Sequence, residues 1–419
     1  MAQRPAHAPI TAFSFERGEL VIGGIPVRRL AERVGATPFY AYDRAALTRR
    51  TTQWREVMPK ALSLHYAVKA NPMPALVAHL RGLTDGFDVA SLGELTVALD
   101  SGMPAEKISF AGPGKTDLEL RAAVAAGIII NLESPGELER IAIIGRTLDL
   151  PPQVAVRVNP DFALKSSGMT MSGGPKPFGV DAEQVPAMLH RIARLPVQFR
   201  GFHIFAGSQN LRPAAIIEAH DLILTLAEQL AQEAPAPVTY LNIGGGFGIP
   251  YFPGEEPLDL APIAAHLSQR LANLSPRLRT AELVMELGRY LVGEAGVYVC
   301  RVIDRKQSRG RTYLVTDGGL HHHLAASGNF GQVIRKNYPV AVAAQASNRT
   351  DQELVTIVGP LCTPLDILAE QIALPRCEPG DLIAVFHSGA YGYTASPLSF
   401  LSHPTPAQVL VGTREPSTP

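Results

Sequence analysis

An alternation of short apolar runs and longer amphipathic segments, between about residues 60 and 290, constrains the fold of this chain most strongly. Each apolar, β-rich run is followed by ten or more residues whose apolar positions are spaced by three and four. Such alternation is typical of a parallel α/β fold. Eight repeats predict a (β/α)8 barrel of the TIM type, with a doubly wound open sheet as the alternative. The predicted strands are 63–69, 86–89, 107–111, 128–132, 153–159, 199–205, 238–243 and 282–286.

Most of these runs end in a residue that can do chemistry. The active sites of such barrels lie at the carboxyl ends of the strands, because the loops that follow the strands meet there. We therefore predict that these side chains form one site. They are Lys69, Asp88, Asn131, Arg157, His203, Asn242 and Glu286.

After about residue 290 the pattern changes to β-branched alternation with turn residues, which is typical of antiparallel strands. Runs of this kind occupy 297–303, 312–316, 352–358 and 381–386. We predict a barrel over 42–290 and a C-terminal antiparallel β-domain over 291–412, which residues 10–41 join.

The overall charge excludes some kinds of partner. The formal net charge is +0, so the chain lacks the basic surplus typical of nucleic-acid binding, and a small-molecule substrate is expected. The 3 cysteines are too few and too scattered for a disulfide framework or a metal site. No run of about 18 apolar residues occurs, so we expect no membrane span and a cytoplasmic protein.

Lys69 ends the apolar run that begins at Leu64 and stands just before Asn71-Pro72. Burial in an apolar setting lowers the pKa of a lysine and makes it an amine that can form a Schiff base with a carbonyl. The alternative is a lysine that ends a strand and extends its charge into solvent.

Two further motifs indicate what that carbonyl compound is. Gly244, Gly245 and Gly246 follow a strand directly, so their backbone N–H groups could approach a phosphate; a plain turn is the alternative. Glu286 and Arg289 could face a ring nitrogen and phosphate oxygens, or could form a surface ion pair. A phosphate-bearing aromatic aldehyde that meets Lys69 would be pyridoxal 5′-phosphate.

Seven motifs between about residues 20 and 412 occur in the order seen in fold-type III pyridoxal phosphate decarboxylases. The chain resembles the ornithine, diaminopimelate and arginine decarboxylase group 2 family, and most closely the branch found beside exosortase systems in bacteria. The motifs are Tyr66-Ala67-Val68-Lys69-Ala70-Asn71, Phe87-Asp88-Val89-Ala90-Ser91 with Gly93-Glu94, Gly207-Ser208, the glycines at 244–246, Glu286 with Gly288-Arg289, Gly359-Pro360-Leu361-Cys362, and Gly389-Ala390-Tyr391-Gly392.

The resemblance implies an alanine-racemase-like barrel and a role for each matching residue. Lys69 would bind the cofactor as a Schiff base, and Glu286 would face the pyridine nitrogen. Cys362 would protonate the substrate from the neighbouring subunit, which implies a homodimer with shared active sites; a small buried hydrophobe is the alternative for this cysteine. The phosphate would lie among Ser208, Gly244, Gly245, Gly246, Arg289 and Tyr391, with Asp88, Glu94, Arg157 and Phe205 around the cofactor.

Three departures from the family pattern bear on the substrate. Phe205 stands where the family has a histidine stacked on the cofactor, and His203 is a partial substitute or a structural histidine. Thr363 stands where the family has an acidic residue that reads a distal amine. The arginine that binds a substrate carboxylate in diaminopimelate enzymes is absent after Gly319, where His321, His322 and His323 occur instead. We assign His203, Thr363 and Asp366 to the substrate, and no residue to a metal.

These observations predict a decarboxylase that acts at the α-carboxylate of an amino acid or amino-acid derivative. The departures favour a substrate whose far end is uncharged or tethered, such as an aminoacyl group on an acyl-carrier protein. The alternatives are a diaminopimelate decarboxylase of lysine biosynthesis, an amino-acid racemase, and a non-catalytic regulator that binds pyridoxal phosphate. Racemases of this fold pair the pyridine nitrogen with an arginine, and Glu286 argues against that alternative.

Overall fold

The computed structural model of the chain describes residues 7–162, 169–170, 174–330, 332, 335–345 and 349–413. These residues form two compact units. A β-unit comprises the described parts of Met1–Arg50, Ile249–Pro257 and Arg289–Pro419, and a barrel unit comprises those of Thr51–Gly248 and Leu258–Gly288. The division differs from the predicted boundaries because Ile249–Pro257 lies with the β-unit. There the amide of Ala8 donates to the carbonyl of Tyr251 at 3.2 Å, and Tyr251 packs on Tyr338.

The barrel unit contains the eight predicted parallel strands. The eighth pairs with the first and the fourth pairs with the fifth, so the sheet closes and the open-sheet alternative is wrong. Closure leaves no exposed sheet edge and brings all eight carboxyl ends to one rim. In chain order the barrel strands are Leu62–Ala67, Gly86–Val89, Ile108–Phe110, Ile129–Leu132, Gln153–Asn159, Gln198–Ile204, Tyr240–Gly245 and Glu282–Leu287.

Capping residues start several helices close behind the strands. Ser91, Thr116 and Ser134 each accept a hydrogen bond from the backbone N–H three residues on, which satisfies a donor of the first helical turn. The helices of the described residues are Val27–Val34, Arg44–Val57, Pro74–Leu80, Leu92–Asp100, Asp117–Ala126, Pro135–Leu148, Val185–Ile192, Pro213–Leu230, Ala261–Ala272 and the short Arg289–Val292. None of them is long and apolar enough to cross a membrane.

The β-unit is built around one mixed sheet of eight strands, most of them antiparallel. Its parallel pairs join Arg311–Thr316 to Gln352–Val358 and Phe39–Asp43 to Ala407–Val411. Alternating apolar residues such as Val297, Val299 and Phe386 form the core. The strands are Phe39–Asp43, Gly296–Ser308, Arg311–Thr316, Val340–Ala344, Gln352–Val358, Ile367–Pro375, Leu382–Val385 and Ala407–Val411, with Ser14–Glu16, Glu19–Ile22 and Ile25–Pro26 in a separate small sheet.

Candidate active site

Lys69 lies just beyond the first barrel strand, in a single turn of 3-10 helix over Val68–Ala70. Its Nζ is 3.3 Å from Oε1 of Glu286 and 5.8 Å from the centre of the Phe205 ring. The side chain is 48% exposed, so the predicted burial is wrong. The turn carries the lysine past the last paired residue of its strand, to the carboxyl end of the barrel.

Glu286 is buried on the eighth strand. Its Oε2 lies 3.3 Å from Nε2 of His203 and accepts a hydrogen bond from Nδ2 of Asn242 at 3.4 Å. Burial alone would raise the pKa of Glu286, but the charge of Lys69 and the contact with His203 hold that pKa well below its usual range. The carboxyl group is therefore ionised, and it can hold a proton on a ring nitrogen.

His203, which was assigned to the substrate from its place in the sequence, is buried with its Nε2 against Glu286. The sixth and seventh strands pair residue to residue there, with His203 opposite Asn242. The neighbouring strands thus deliver both side chains to one carboxylate. This position favours a role in supporting Glu286 over direct contact with the substrate.

A buried ionic network surrounds Arg157, and its acidic partner Glu133 was not among the predicted site residues. Nη1 of Arg157 is 2.8 Å from Oε1 of Glu133. The same oxygen accepts from the amide of Gly112 at 2.6 Å, and Oε2 accepts from the amide of Gly179 at 2.7 Å. Burial opposes ionisation of Glu133, but Arg157 keeps its pKa below the usual range. Glu133 directly follows the fourth strand, so the strand-end pattern could have found it.

Asp88 and Glu94 already have partners within the barrel unit. Oδ2 of Asp88 lies 3.4 Å from Nδ1 of His65, and Ser109 donates to its other oxygen. The amide of Ala90 donates to Glu94 at 2.8 Å, while burial raises the pKa of Glu94. Both carboxylates therefore brace the strand ends of the predicted cofactor pocket.

The glycine run after the seventh strand lies very close to other backbone. Gly244 and Gly246 have φ of 72° and 77°, which side chains rarely adopt. A Cβ on Gly244 would come within 2.9 Å of the Phe205 ring, and one on Gly246 would meet the carbonyl oxygen of Gly207. The glycines thus let this loop pack against the segment that carries Ser208, as a phosphate-binding loop requires.

In the β-unit, Arg289 begins a short helix and lies among tyrosines. Its Nη1 donates to the hydroxyl of Tyr251 at 2.9 Å, and its guanidinium lies 4.8 Å from the ring centre of Tyr391. Burial opposes the charge, but Tyr251, Tyr338 and Tyr391 hold the pKa of Arg289 above its usual range. A permanently charged guanidinium in an aromatic setting can bind phosphate oxygens.

Cys362 lies in the segment that follows the strand Gln352–Val358. It is exposed, whereas Cys300 and Cys377 are buried, so the buried-hydrophobe alternative is wrong for Cys362. Asp366 shapes this segment, because its Oδ1 accepts from the amide of Leu320 at 2.6 Å and its Oδ2 from that of Leu361 at 2.8 Å. These two bonds favour a structural role for Asp366 over its predicted contact with the substrate.

The histidine triplet is part of the buried interior of the β-unit. His322 bonds the carbonyl of Pro404 at 2.9 Å, and His323 bonds the hydroxyl of Ser388 at 2.9 Å. Burial lowers the pKa values of His321, His322 and His323 to about 3, 4 and 3. All three are uncharged at neutral pH. Within the described ranges no group of three or more His, Cys, Asp or Glu residues is arranged to hold a metal ion.

These residues fit pyridoxal phosphate. The barrel unit pairs a lysine with a buried, ionised carboxylate, and the β-unit supplies a fully charged arginine. A lysine beside a buried carboxylate, at the strand ends of a closed barrel, is the arrangement expected of a pyridoxal-phosphate enzyme built on a barrel. The chain belongs to the pyridoxal-dependent decarboxylases, since the model of their pyridoxal binding domain matches residues 44–293.

Similar proteins support this assignment over nearly the whole chain. The L-glutamyl-(BtrI acyl-carrier protein) decarboxylase of Niallia circulans is 38% identical over 89% of this chain and 88% of its own length. The diaminopimelate decarboxylase of Aquifex aeolicus is 33% identical over 95% of this chain and 91% of its own length. The structure of M. jannaschii diaminopimelate decarboxylase with L-lysine superposes with a TM-score of 0.84 at 26% identity, covering 96% of this chain and 93% of that one.

The predicted family, fold, cofactor and enzyme class are thus confirmed. The protein is a pyridoxal-phosphate-dependent carboxy-lyase that acts on an amino acid or amino-acid derivative. The branch beside exosortase systems stays a prediction.

Proposed function

We propose that this decarboxylase acts on an amino acid held as a thioester on an acyl-carrier protein. The observation that carries the proposal is the chemistry of the segment Cys362–Asp366. Thr363 is neutral and half-buried, Pro364 and Leu365 are exposed and apolar, and Asp366 uses both carboxylate oxygens on backbone amides. The segment therefore offers no carboxylate to a distal ammonium group, whereas an uncharged thioester needs none.

The histidine triplet argues in the same direction. Free diaminopimelate carries a second carboxylate at its far end, and the family arginine that binds it is absent here. His321, His322 and His323 are buried and neutral, so they cannot replace that positive charge. The diaminopimelate alternative is accordingly less favoured.

The Niallia relative, named for an L-glutamyl group on a carrier protein, suggests glutamate as the amino acid. Decarboxylation at Cα requires a free α-amine and a free α-carboxylate. The carrier must then be attached through the side-chain carboxyl group. Such a tether leaves no charge at the far end of the substrate, in keeping with Thr363.

The chain's own residues divide the work as follows. Lys69 would bind the aldehyde of pyridoxal phosphate, and Glu286 would keep a proton on the ring nitrogen, supported by His203. The cofactor, when bound, accepts the electron pair that the departing CO2 leaves on the substrate. Ser208, the glycines at 244–246, Arg289 and Tyr391 would hold the phosphate. Cys362 would donate a proton to Cα from the partner subunit of a homodimer.

The test is CO2 release by the cofactor-loaded enzyme. The substrates are free lysine, ornithine, arginine, diaminopimelate and glutamate, beside glutamate joined to the carrier protein as a thioester through its side-chain carboxyl group. We expect release from the glutamyl thioester alone. Efficient turnover of free diaminopimelate, with no turnover of any thioester, would refute the proposal.

A pair of variants sharpens this test. Thr363→Asp supplies the missing carboxylate, so it should depress kcat/KM for the thioester and raise any trace activity on ornithine or lysine. Thr363→Ser keeps the neutral hydroxyl and should leave the preference for the thioester unchanged.

A further inference from the structure

The β-unit contains a cleft of about 470 Å³ that includes none of the predicted site residues. Two cations line it, against one carboxylate, so the lining carries an excess of one positive charge. The lining residues are Pro253, Arg335, Lys336, Asn337, Glu370 and Gln371.

Arg335 forms the fixed part of this lining. Its guanidinium donates to the carbonyls of Ser327 at 3.2 Å and Ile367 at 2.7 Å, and to Oδ1 of Asn337 at 3.0 Å. All three acceptors are neutral, and two of its five N–H groups have no partner among the described residues. Burial lowers the pKa of Arg335, and the negative charge of Glu370 opposes this shift without cancelling it. The positive charge of the guanidinium is therefore only partly compensated.

Asn337, two residues further along the same segment, braces the arginine against the strand Ile367–Pro375. Its Oδ1 also accepts from the amide of Glu370 at 2.8 Å, and its Nδ2 donates to the carbonyl of Glu370 at 2.8 Å. The guanidinium is therefore held in place before any ligand arrives, which reduces the entropy lost on binding.

Lys336 supplies an exposed cation, and a series of aromatic contacts connects it with Arg289. Its Nζ lies 5.0 Å from the ring centre of Phe252. The Phe252 ring packs on Tyr338 at 6.4 Å, and Tyr338 packs on Tyr251 at 4.5 Å, whose hydroxyl accepts from Arg289. A continuous series of touching side chains thus runs from the cleft to the cation assigned to the cofactor phosphate.

We propose that this cleft binds the phosphate ester of the pantetheine arm that joins a substrate to its carrier protein. The inference rests on the proposed function and specifies how that substrate is held. A carrier presents its thioester at the end of an arm whose only charge is the phosphate ester at the other end. An anchored guanidinium beside an ammonium group matches that single anion, because charge-assisted hydrogen bonds to phosphate oxygens are strong and directional.

The experiment measures binding, so it does not depend on turnover. Calorimetry of the full-length, cofactor-loaded enzyme compares S-methyl phosphopantetheine, S-methyl pantetheine and inorganic phosphate. We expect the phosphorylated arm to bind at least about tenfold more tightly than either of the others. Lys336→Gln and Arg335→Gln should remove most of that difference. Lys306→Gln, which removes an exposed lysine outside the cleft, should preserve it.

The outcomes separate the cleft from the proposed function. Equal affinity for the two arms, or equal affinity for the arm and for inorganic phosphate, would overturn the cleft assignment even if thioesters are decarboxylated. A phosphate preference that Lys336→Gln abolishes would support it even if no thioester is turned over, in which case only the proposed function fails. Because Arg335→Gln also removes three hydrogen bonds, the Lys336 variant decides the matter if the Arg335 variant unfolds.

Discussion

Glu286 owes its charge to its neighbours. It is buried, yet Lys69 and His203 approach separate carboxylate oxygens, each at 3.3 Å, and together outweigh the cost of burial. His203 therefore helps to stabilise the ionised form of Glu286, as water does for an exposed carboxylate. A histidine that looked like a substrate contact in the sequence becomes, in the fold, part of the support for the acid.

This environment predicts the pH dependence of stability. The pKa of Glu286 is depressed in the folded protein, so the stability it contributes is present above the unfolded value of 4.5 and is lost as the pH falls below it. Thermal unfolding of the cofactor-free protein between about pH 6 and about pH 3 should show this loss. Below pH 4.5, the stability of Glu286→Gln should fall less steeply with decreasing pH than that of the wild type, by up to about 1.4 kcal/mol per pH unit. If the stability of the wild type and of Glu286→Gln changed with pH in the same way, Glu286 would not be the source of the loss.

A second prediction separates two roles for Asp366. An amide at this position can accept from only one of the two backbone amides of Leu320 and Leu361, and its NH2 group would face the other. Asp366→Asn should therefore lose about 1–3 kcal/mol of stability. It should also lower kcat, because Cys362 shares the segment.

The control for this variant is Asp351→Asn, an exposed position of the same unit, which should be neutral. If Asp366→Asn unfolds like the wild type and changes only KM, the residue binds substrate after all.

The sequence predicted most of the candidate site because chemistry at strand ends follows from the barrel pattern alone. It placed Lys69, Glu286, Arg157 and Asn242 correctly at those ends. It favoured a buried Lys69 over the exposed alternative that the structure shows, since the exposure depends on one turn of 3-10 helix. Nor did it give the partners of His203, which depend on the register between neighbouring strands.

At the scale of elements, the loop after the seventh barrel strand combines two constraints in one residue. Gly246 has a positive φ and leaves room for the carbonyl of Gly207, whereas Gly254 has φ of 82° and open space around its Cα. Substitution of Gly254 thus measures backbone strain alone, whereas substitution of Gly246 adds a steric clash.

Gly246→Ala should destabilise the protein more than Gly254→Ala, which carries only the strain of about 1 kcal/mol or more that a left-handed backbone imposes. Gly246→Ala should also weaken cofactor binding, because the added Cβ would displace the segment that carries Ser208 from the glycine loop. Thermal unfolding and titration of the cofactor-free variants with pyridoxal phosphate measure the two effects. Equal losses in both variants would mean that contact with Gly207 is unimportant.

The strands of the barrel unit were predicted more completely than those of the β-unit. All eight barrel strands were predicted to within a few residues, because their periodicity is local. The strands Val340–Ala344, Ile367–Pro375 and Ala407–Val411 were not, although each pairs in the main sheet of the β-unit. The partner of Ala407–Val411 is Phe39–Asp43, near the other end of the chain, and the segment Ile249–Pro257 joins the β-unit through contacts that no local pattern records. Ile367–Pro375 pairs with the nearby strand Gln352–Val358, so distance along the chain does not explain why it was missed.

At the scale of the whole molecule, the proposed homodimer with shared active sites can be tested by complementation. Lys69→Ala and Cys362→Ala should each be inactive as purified proteins. Mixing them under conditions that exchange subunits should restore about a quarter of wild-type activity. Half of the random dimers are then hybrids, and each hybrid has one intact site.

The matched control mixes Lys69→Ala with Glu286→Gln. These two residues contact each other within one barrel, so no hybrid dimer regains both in one site. No recovery in the first mixture would show that Cys362 serves the site of its own subunit.

The pairing of Phe39–Asp43 bears on how the protein is made. This strand lies between Gly296–Ser308 on one side and Ala407–Val411 on the other, so both neighbours are synthesised hundreds of residues after it. A nascent chain can close the barrel strands while this early strand still has no partner. Its unpaired edge is then a site for association with other chains, and a chaperone that covers residues 39–43 during translation would protect the yield of folded enzyme.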